Sequence, residues 1–268
     1  MEDLQKNSGL PIALNEQGFL EFLPPLSSIE PESRKIFDMK DHLADREATF
    51  TSNDVYLMYR GVGFGQDQEN FKKAALSYDL TVFRPGLIGR EFCKSIGHFH
   101  AVKPGTNVHF PEIYEVISGR ALFLIQKLDD ATGQITAVYL VDAREGQKAF
   151  FPPGFGHITI NTQPHALVTA NWDETTDSDY TYYKKHHGGA YYVIAGDGGK
   201  IETVLNPNYP NIPPLIKLRP KDLPGFGIIA GQPMYNTGQK SLDMLQFITS
   251  PELYLDKLTI DQCYEIVA

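Results

Sequence analysis

Apolar residues recur through the middle of the chain in short runs separated by turns that contain Gly, Pro or Asp. Six such runs follow one another: 112–118, 120–128, 134–141, 148–151, 158–161 and 165–172. They are rich in β-branched and aromatic residues, which favour strands over helices. Six short strands at these intervals predict a double-sheet jelly roll or a small barrel.

The sequence on either side of this region is more mixed. Before it, Ile36, Met39 and Leu43 fall three and four residues apart, which predicts a helix. Strands are expected at 55–59 and 79–83, interrupted by the polar, glycine-containing stretch 61–70. The flanking segments therefore predict peripheral elements around an all-β centre.

The C-terminal part has its own pattern. Six prolines lie between Asn206 and Pro224, more than a central strand tolerates, so an extended arm is expected. Ser250-Pro251 and Thr259–Gln262 resemble helix starts and predict two short closing helices. We therefore divide the chain into an N-terminal arm and helix (1–54), an all-β domain (55–205) and a C-terminal extension of arm and helices (206–268).

Composition and charge limit the classes of partner. The 268 residues are 42% apolar, enough for a substantial core. A net charge of -9 argues against nucleic acid and anionic membranes as partners. Cys93 and Cys263 are too far apart in sequence to indicate a disulfide framework, and no signal peptide or membrane-spanning run is evident. A cytoplasmic location is expected.

Three histidines and one glutamate carry the candidate chemistry. His98 and His100 are two residues apart, so on a strand they point to one face. Glu112 opens the next predicted strand, and His157 follows a Pro/Gly turn. This ligand set suits Fe(II), Mn(II), Ni(II) or Zn(II), with coordination positions left open for substrate oxygens. The metal set alone is compatible with both an isomerase and a dioxygenase.

The spacing around these residues resembles the two cupin motifs. The first block is His-x-His-x11-Glu-x6-Gly, ending at Gly119, and the second is Gly-x5-Pro-x-Gly-x2-His-x3-Asn, ending at Asn161. The flanking segments 81–86, 89–92, 95–100 and 112–114 further resemble the cupin-type phosphoglucose isomerases. The resemblance covers about residues 10 to 205. It implies an all-β cupin double-stranded β-helix with peripheral short helices, to which 206–268 adds a C-terminal extension.

The resemblance also implies roles for individual residues. The metal ligands would be His98, His100, Glu112 and His157, with Fe(II) or Mn(II) favoured and Zn(II) or Ni(II) as alternatives. Glu112 and Tyr114 would be catalytic. Thr81, Ser95, Gly97 and Tyr180 would bind the phosphate or the rest of the substrate. The resembling family is dimeric, so a homodimer is expected, and the proline-rich arm could reach across to the partner.

The chain departs from the family pattern at three places. The loop before Glu112 is longer, Trp172 stands where the family carries a tyrosine, and Ser178 stands where a histidine is expected. Other histidines are expected to be packed or solvated, and His109, within the long loop, is expected in solvent. Asn161 is expected to be a structural hydrogen-bonding residue.

The sequence thus predicts a metal-dependent aldose-ketose isomerase that interconverts glucose 6-phosphate and fructose 6-phosphate in glycolysis or gluconeogenesis. The ion would act as a Lewis acid on the sugar oxygens. Two alternatives stay open: an iron-dependent cupin dioxygenase and a non-catalytic sugar-binding cupin. An oxygenase would consume oxygen, and a binding module would take up ligand without turnover.

Overall fold

The computed structural model describes residues 1–267, which form 18 short strands and seven short α-helices. The strands are β1 Glu2–Asp3, β2 Ile12–Leu14, β3 Leu20–Phe22, β4 Glu32–Lys35, β5 Asp54–Tyr59, β6 Leu76–Phe83, β7 Leu87–Ile88, β8 Glu91–Lys94, β9 Glu112–Ser118, β10 Arg120–Asp129, β11 Gln134–Arg144, β12 Lys148–Phe151, β13 Phe155–Asn161, β14 Leu167–Glu174, β15 Tyr191–Ala195, β16 Ile201–Leu205, β17 Leu215–Pro220 and β18 Tyr264–Ile266.

The α-helices are α1 Gln5–Ser8, α2 Ile36–Met39, α3 Gly65–Lys73, α4 Thr181–Lys185, α5 Met234–Lys240, α6 Gln246–Thr249 and α7 Ile260–Cys263. Short 3-10 turns occupy Lys40–His42, Asp197–Gly199, Pro224–Phe226, Leu242–Leu245 and Pro251–Leu253. None of the helices in this described part of the chain has the length and apolar character needed to cross a membrane.

Two large sheets form the body of the molecule. One has nine strands in the order β16-β15-β8-β13-β10-β11-β17-β18, with β7 beside β8. The other has six strands in the order β12-β9-β14-β6-β5-β4. Their inner faces share one core, in which Tyr114 of β9 lies 5.4 Å, between ring centroids, from Phe123 of β10. Two packed sheets of short strands confirm the predicted all-β cupin fold.

Strand β10 is buried on both faces, which explains its nearly continuous apolar sequence. Phe123 and Ile125 face the core between the sheets, whereas Leu122 and Leu124 belong to a second apolar cluster on the outer side. That second cluster includes Phe99 and the residues that cover the nine-stranded sheet from outside. The nine-stranded sheet is therefore packed against apolar side chains on both faces at β10.

The predicted strands are found close to their expected bounds, while one helix was missed. All six runs from 112 to 172 lie on strands β9 to β14, and β5 and β6 cover the two earlier predictions. The stretch 61–70, expected to be irregular, contains most of helix α3. Phe71 is the only buried residue among the nine of this helix. The sequence therefore has no apolar periodicity here that would predict a helix.

The C-terminal extension packs on its own barrel. Strand β17 pairs in parallel with β11 and antiparallel with β18. The segment 206–224, which was expected to form an extended arm, therefore contains a paired strand. Five of its six prolines lie outside β17, and the sixth, Pro220, is the last residue of the strand, so the strand interior keeps its amides. The predicted closing helices are present, and Thr259 and Gln262 form the capping box of α7.

Candidate metal centre

The four predicted ligands come from three neighbouring pieces of chain. His98 and His100 lie in the extended segment after β8, Glu112 is the first residue of β9, and His157 lies within β13. The backbone amide of His157 donates to the carbonyl of His98 at 3.2 Å. Gly156 permits this approach, since a Cβ there would lie 2.8 Å from the His98 carbonyl oxygen. Backbone pairing thus fixes two ligands side by side.

Their ligand atoms converge on one point. Oε2 of Glu112 lies 3.0 Å from Nε2 of both His100 and His157, and 4.0 Å from Nε2 of His98. One donor atom from each residue lies within 4.8 Å of all the others. An ion with ligands at about 2.1 Å separates neighbouring donors by about 3 Å and opposite donors by about 4.2 Å. The spacing therefore fits a first-row divalent ion.

Unsatisfied polar atoms at the same place support this fit. Both ring nitrogens of His157 are buried and lack a hydrogen-bond partner, although Nε2 is close to the Glu112 carboxylate. A buried polar atom without a partner is costly, and a bound cation would satisfy it. The residues present fit a divalent metal ion.

Burial and neighbouring charges shift the pKa values of three residues in the cluster. Burial opposes ionisation of Glu112, but the neighbouring His157 and His100 outweigh it and hold its pKa well below the usual value. Burial likewise lowers the pKa of His98 and His157, helped at both by the charges of neighbouring histidines. These directions favour an anionic Glu112 and neutral imidazoles at His98 and His157, the protonation states that bind metal.

A pocket opens beside this cluster and contains most of the predicted substrate-site residues. Glu112, Tyr114 and His98 line it together with Thr81, Ser95, Ser178 and Tyr180. Gly97 is not among the lining residues. It packs instead against Tyr183 and Ile158, where a side chain would collide. The structure therefore brings five of the six predicted catalytic and substrate residues into one pocket.

Tyr114 is buried at the inner wall. Its ring lies 5.5 Å from that of His157 and 5.2 Å from that of Phe151. Burial and the negative charge of Glu112 raise its pKa well above the usual value, so the phenol keeps its proton. A protonated phenol beside the cluster can donate a hydrogen bond to a substrate oxygen.

The same pocket contains polar residues that the sequence analysis did not single out, namely Arg34, Tyr56, Arg60, Asn171 and Asp173. They lie outside the cupin motifs. Only alternation along β5 and β14 could have indicated which of them face inward, and that requires the position of each strand in the sheet.

The structure places one of the departures from the family pattern and corrects one expectation. Trp172, which stands where the family carries a tyrosine, faces away from the pocket, and its indole nitrogen donates to the carbonyl of Met234 at 3.2 Å. His109 was expected in solvent. It is partly buried instead, with Nδ1 2.7 Å from the carbonyl oxygen of His100 and Nε2 3.0 Å from Asp130. It lies outside the four-ligand cluster.

Asn161 holds the turn that follows β13. Its amide nitrogen donates to the carbonyls of Arg84 and His165, at 3.2 and 2.9 Å. These bonds fit the expected structural role. His165 itself is exposed at that turn, away from the metal cluster.

Comparison with known proteins gives a consistent result. A family model described as glucose-6-phosphate isomerase (GPI) matches residues 33–210. A relative from Thermococcus onnurineus, named glucose-6-phosphate isomerase, is 27% identical over 178 residues, which span 66% of this chain and 86% of the relative. A relative of the same name from Pyrococcus horikoshii is 24% identical over 182 residues, 66% of this chain and 87% of its own. A solved structure of oxalate oxidase aligns with a TM-score of 0.34 and 16% identity over 47% of this chain and 54% of its own, which is too weak to bear on fold or chemistry.

The two-sheet barrel and the histidine-glutamate cluster at its mouth define a cupin with a candidate metal centre. The match over 33–210 covers well over half of the chain. The chain belongs to the glucose-6-phosphate isomerase family, in its cupin form.

Proposed function

We propose that this protein is a metal-dependent aldose-ketose isomerase that interconverts glucose 6-phosphate and fructose 6-phosphate. The observation that carries the proposal is the pocket, in which Glu112 and His98 of the cluster share one cavity with Tyr114 and with hydroxyl donors for a phosphate. The relatives named glucose-6-phosphate isomerase supply the substrate.

His98, His100, Glu112 and His157 would hold the ion, and Fe(II) or Mn(II) is the proposed metal, with Zn(II) or Ni(II) as alternatives. A bound divalent ion supplies Lewis-acid polarisation of the substrate's carbonyl and neighbouring hydroxyl oxygens. The protein's contribution is to fix the four ligands in a buried, preorganised set.

The reacting end of the sugar would lie between Glu112 and Tyr114. Glu112 is two residues before Tyr114 on β9, so both side chains point to the same inner face. In a base mechanism, Glu112 takes the proton from C2 and returns it to C1 through a cis-enediol, while the Tyr114 phenol donates to a sugar oxygen. A hydride shift between C2 and C1 is the competing route, because a ligating carboxylate is a weaker base.

The phosphate would lie at the other end of the pocket, near Thr81, Ser95 and Tyr180, with Gly97 just behind the wall. Ser95 accepts the amide of Thr159 at 2.9 Å, which leaves its hydroxyl proton available. Arg34 adds a positive charge there, and its buried Nε has no hydrogen-bond partner. A guanidinium with free donors suits a phosphate, and it offsets the overall charge of -9 locally.

The lining argues for a phosphosugar over the small apolar substrate expected of a dioxygenase. Two arginines, an aspartate and several hydroxyls face the cavity, so an apolar ligand would leave their polar atoms without partners. A sugar, with a donor and an acceptor at each hydroxyl, satisfies them.

A homodimer is part of the proposal. Several large apolar side chains are exposed on the outer strands β16, β17 and β18, including Val204, Leu205, Ile216 and Ile266. Pairing of two copies would cover this surface and the sheet edge beside it.

The deciding experiment is a coupled assay with fructose 6-phosphate, run with and without EDTA. Activity should be lost in EDTA and restored by Fe(II) or Mn(II). Full activity in metal-stripped protein would contradict the metal dependence, and oxygen uptake without isomerisation would favour the dioxygenase.

Glucose 6-phosphate deuterated at C2 distinguishes proton transfer by a base from a hydride shift. Exchange of the deuterium with solvent supports proton transfer, and complete retention supports the hydride shift.

A further inference from the structure

Strand β14 presents two polar side chains to the pocket that none of the assigned roles uses. Asn171 and Asp173 line the cavity, and Trp172 between them points to the opposite side of the sheet. In the sheet, Asn171 lies opposite Tyr114 of β9 and opposite Asp79 of β6. Both side chains are therefore next to the end of the pocket proposed for the reaction.

Arg60 completes this group from the end of β5. Its Nη1 lies 2.5 Å from Oδ2 of Asp79, and the other oxygen of Asp79 accepts the amide of Gly61 at 2.8 Å and the hydroxyl of Ser77 at 2.6 Å. Asp79 is thus fully engaged, and it anchors Arg60. Nη2 donates to Sδ of Met58 at 3.3 Å, and the guanidinium has further N–H groups beside the pocket that it lines.

Asp173 differs from Asp79 in having no partner. Its Oδ1 is buried and unpaired, and within residues 1–267 its carboxyl group forms neither a hydrogen bond nor an ion pair. The nearby Arg60 is already paired with Asp79. An unpaired buried carboxyl oxygen is costly, so its presence beside a cavity indicates a ligand that completes it.

This group lies at the opposite end of the pocket from Arg34. Arg34 pairs with Tyr56 across β4 and β5, and Arg60 is four residues beyond Tyr56. At about 3.4 Å per residue, the two arginine positions are separated by about 14 Å along β5. A phosphate held at Arg34 would therefore leave the hydroxyl-bearing carbons of the same molecule pointing toward Arg60 and Asp173.

We propose that Arg60, Asn171 and Asp173 form a hydroxyl-binding subsite that determines which sugar configuration the enzyme accepts. The inference rests on the proposed phosphosugar isomerase function and adds a specificity determinant to it. Each secondary hydroxyl of a sugar both donates and accepts a hydrogen bond. Asp173 supplies the acceptor, while Arg60 and Asn171 supply donors. Asn171 is buried, as is Oδ1 of Asp173. A subsite that contains such groups rejects a substrate whose hydroxyl is absent or inverted, because the groups are then left unpaired.

Binding of a non-reacting ligand tests the subsite without turnover. Glucitol 6-phosphate has no carbonyl, and inorganic phosphate has no hydroxyl-bearing carbons, so the pair separates the two ends of the pocket. Calorimetry on the metal-loaded protein should show glucitol 6-phosphate bound about tenfold more weakly by Asp173→Ala, with the affinity for inorganic phosphate unchanged. Asp173→Asn, which keeps an acceptor oxygen, should recover part of the loss.

Glu174→Ala is the matched control, since Glu174 is next on the same strand and does not line the pocket. Wild-type affinity for glucitol 6-phosphate in Asp173→Ala, or an equal loss for both ligands, would overturn the subsite while leaving the isomerase proposal intact. Failure of the wild-type protein to bind either ligand would overturn both.

A second measurement tests whether the subsite distinguishes between epimers of the sugar. The ratio of kcat/KM for fructose 6-phosphate to that for its epimers at C3 and C4 should fall about tenfold in Asp173→Ala, because this variant lacks the side-chain acceptor that discriminates between them. An unchanged ratio for both epimers would contradict the assignment.

Discussion

Nζ of Lys148 lies 2.8 Å from Oε1 of Glu115, and both side chains are only 1% exposed. The ammonium group also donates to the carbonyls of Ile229 and Gln232, at 2.7 and 2.5 Å, and the other Glu115 oxygen accepts the amide of Met234 at 2.7 Å. A buried ion pair on β9 and β12 therefore holds the C-terminal extension against the six-stranded sheet.

Lys148→Met should destabilise the protein by about 3 to 5 kcal/mol, because it leaves Glu115 buried without its cation. Unfolding in urea measures this loss. The control is Lys184→Met, which removes a largely exposed partner of Asp41 at 3.3 Å and should cost less than about 1 kcal/mol. Equal losses of unfolding free energy in the two variants would mean that the buried pair stabilises the protein no more than the exposed pair does.

His157→Ala should lower the bound metal, since it removes one of three imidazole ligands from the cluster. His165→Ala, at the exposed turn after β13, should leave metal content unchanged. Elemental analysis of the purified proteins gives the comparison. The ligand assignment is wrong if the two variants carry the same amount of metal.

Tyr114→Phe should leave the metal bound and reduce kcat at least about tenfold, because it removes one proton donor from the reacting end of the pocket. Tyr139→Phe provides a control, as Tyr139 lies on β11 beside Phe155 and does not line the pocket. Steady-state kinetics with fructose 6-phosphate, together with metal analysis, distinguish the two. Wild-type kinetics in Tyr114→Phe would show that the Tyr114 hydroxyl takes no part in catalysis and that the side chain serves only in packing.

Thr81→Val should raise KM for the phosphosugar about tenfold with little change in metal content, because it removes a proposed phosphate donor while keeping the side-chain shape. Thr136→Val, at an exposed position of β11, is the matched control. If both variants keep the wild-type KM, the phosphate lies elsewhere.

His42 should make stability depend on pH. Burial, helped by the charge of Lys94, lowers the pKa of His42 to about 4. The unfolded chain, with a pKa near 6.5, binds the proton more readily between these values, so stability is retained above pH 6.5 and lost as the pH falls toward 4. His42→Asn should remove this contribution.

Melting temperatures of the wild type and His42→Asn, measured from pH 7 to pH 4, provide the test. The advantage of the wild type over the variant should shrink as the pH falls. A difference that stays constant over this range would show that His42 does not titrate on unfolding.

The sequence predicted which histidines and which glutamate cluster, because the signal for these residues is local. His98 and His100 depend on strand alternation, and His157 depends on the Pro/Gly turn before it. The inward position of Asp173 was not predictable in the same way. It follows from the register of β14 against β6 and β9, which is set by contacts between residues far apart in the chain.

The C-terminal extension shows the same limit. Its prolines indicated irregular backbone, but the short proline-free interior of β17 pairs with residues of β11 that lie 77 positions earlier in the chain. Pairing over such a separation leaves no trace in local composition.

The pairing of β17 with β11 also means that part of the chain is synthesised before its partner strand exists. A ribosome completes all strands of the metal site before it reaches residue 215, so the nascent barrel carries β11 as an open edge and Lys148 without its C-terminal carbonyl partners. Open edges of this kind recruit other chains. In the folded chain β17 covers this edge, so we expect chains that terminate before residue 215 to be cleared by proteolysis or to accumulate as insoluble protein.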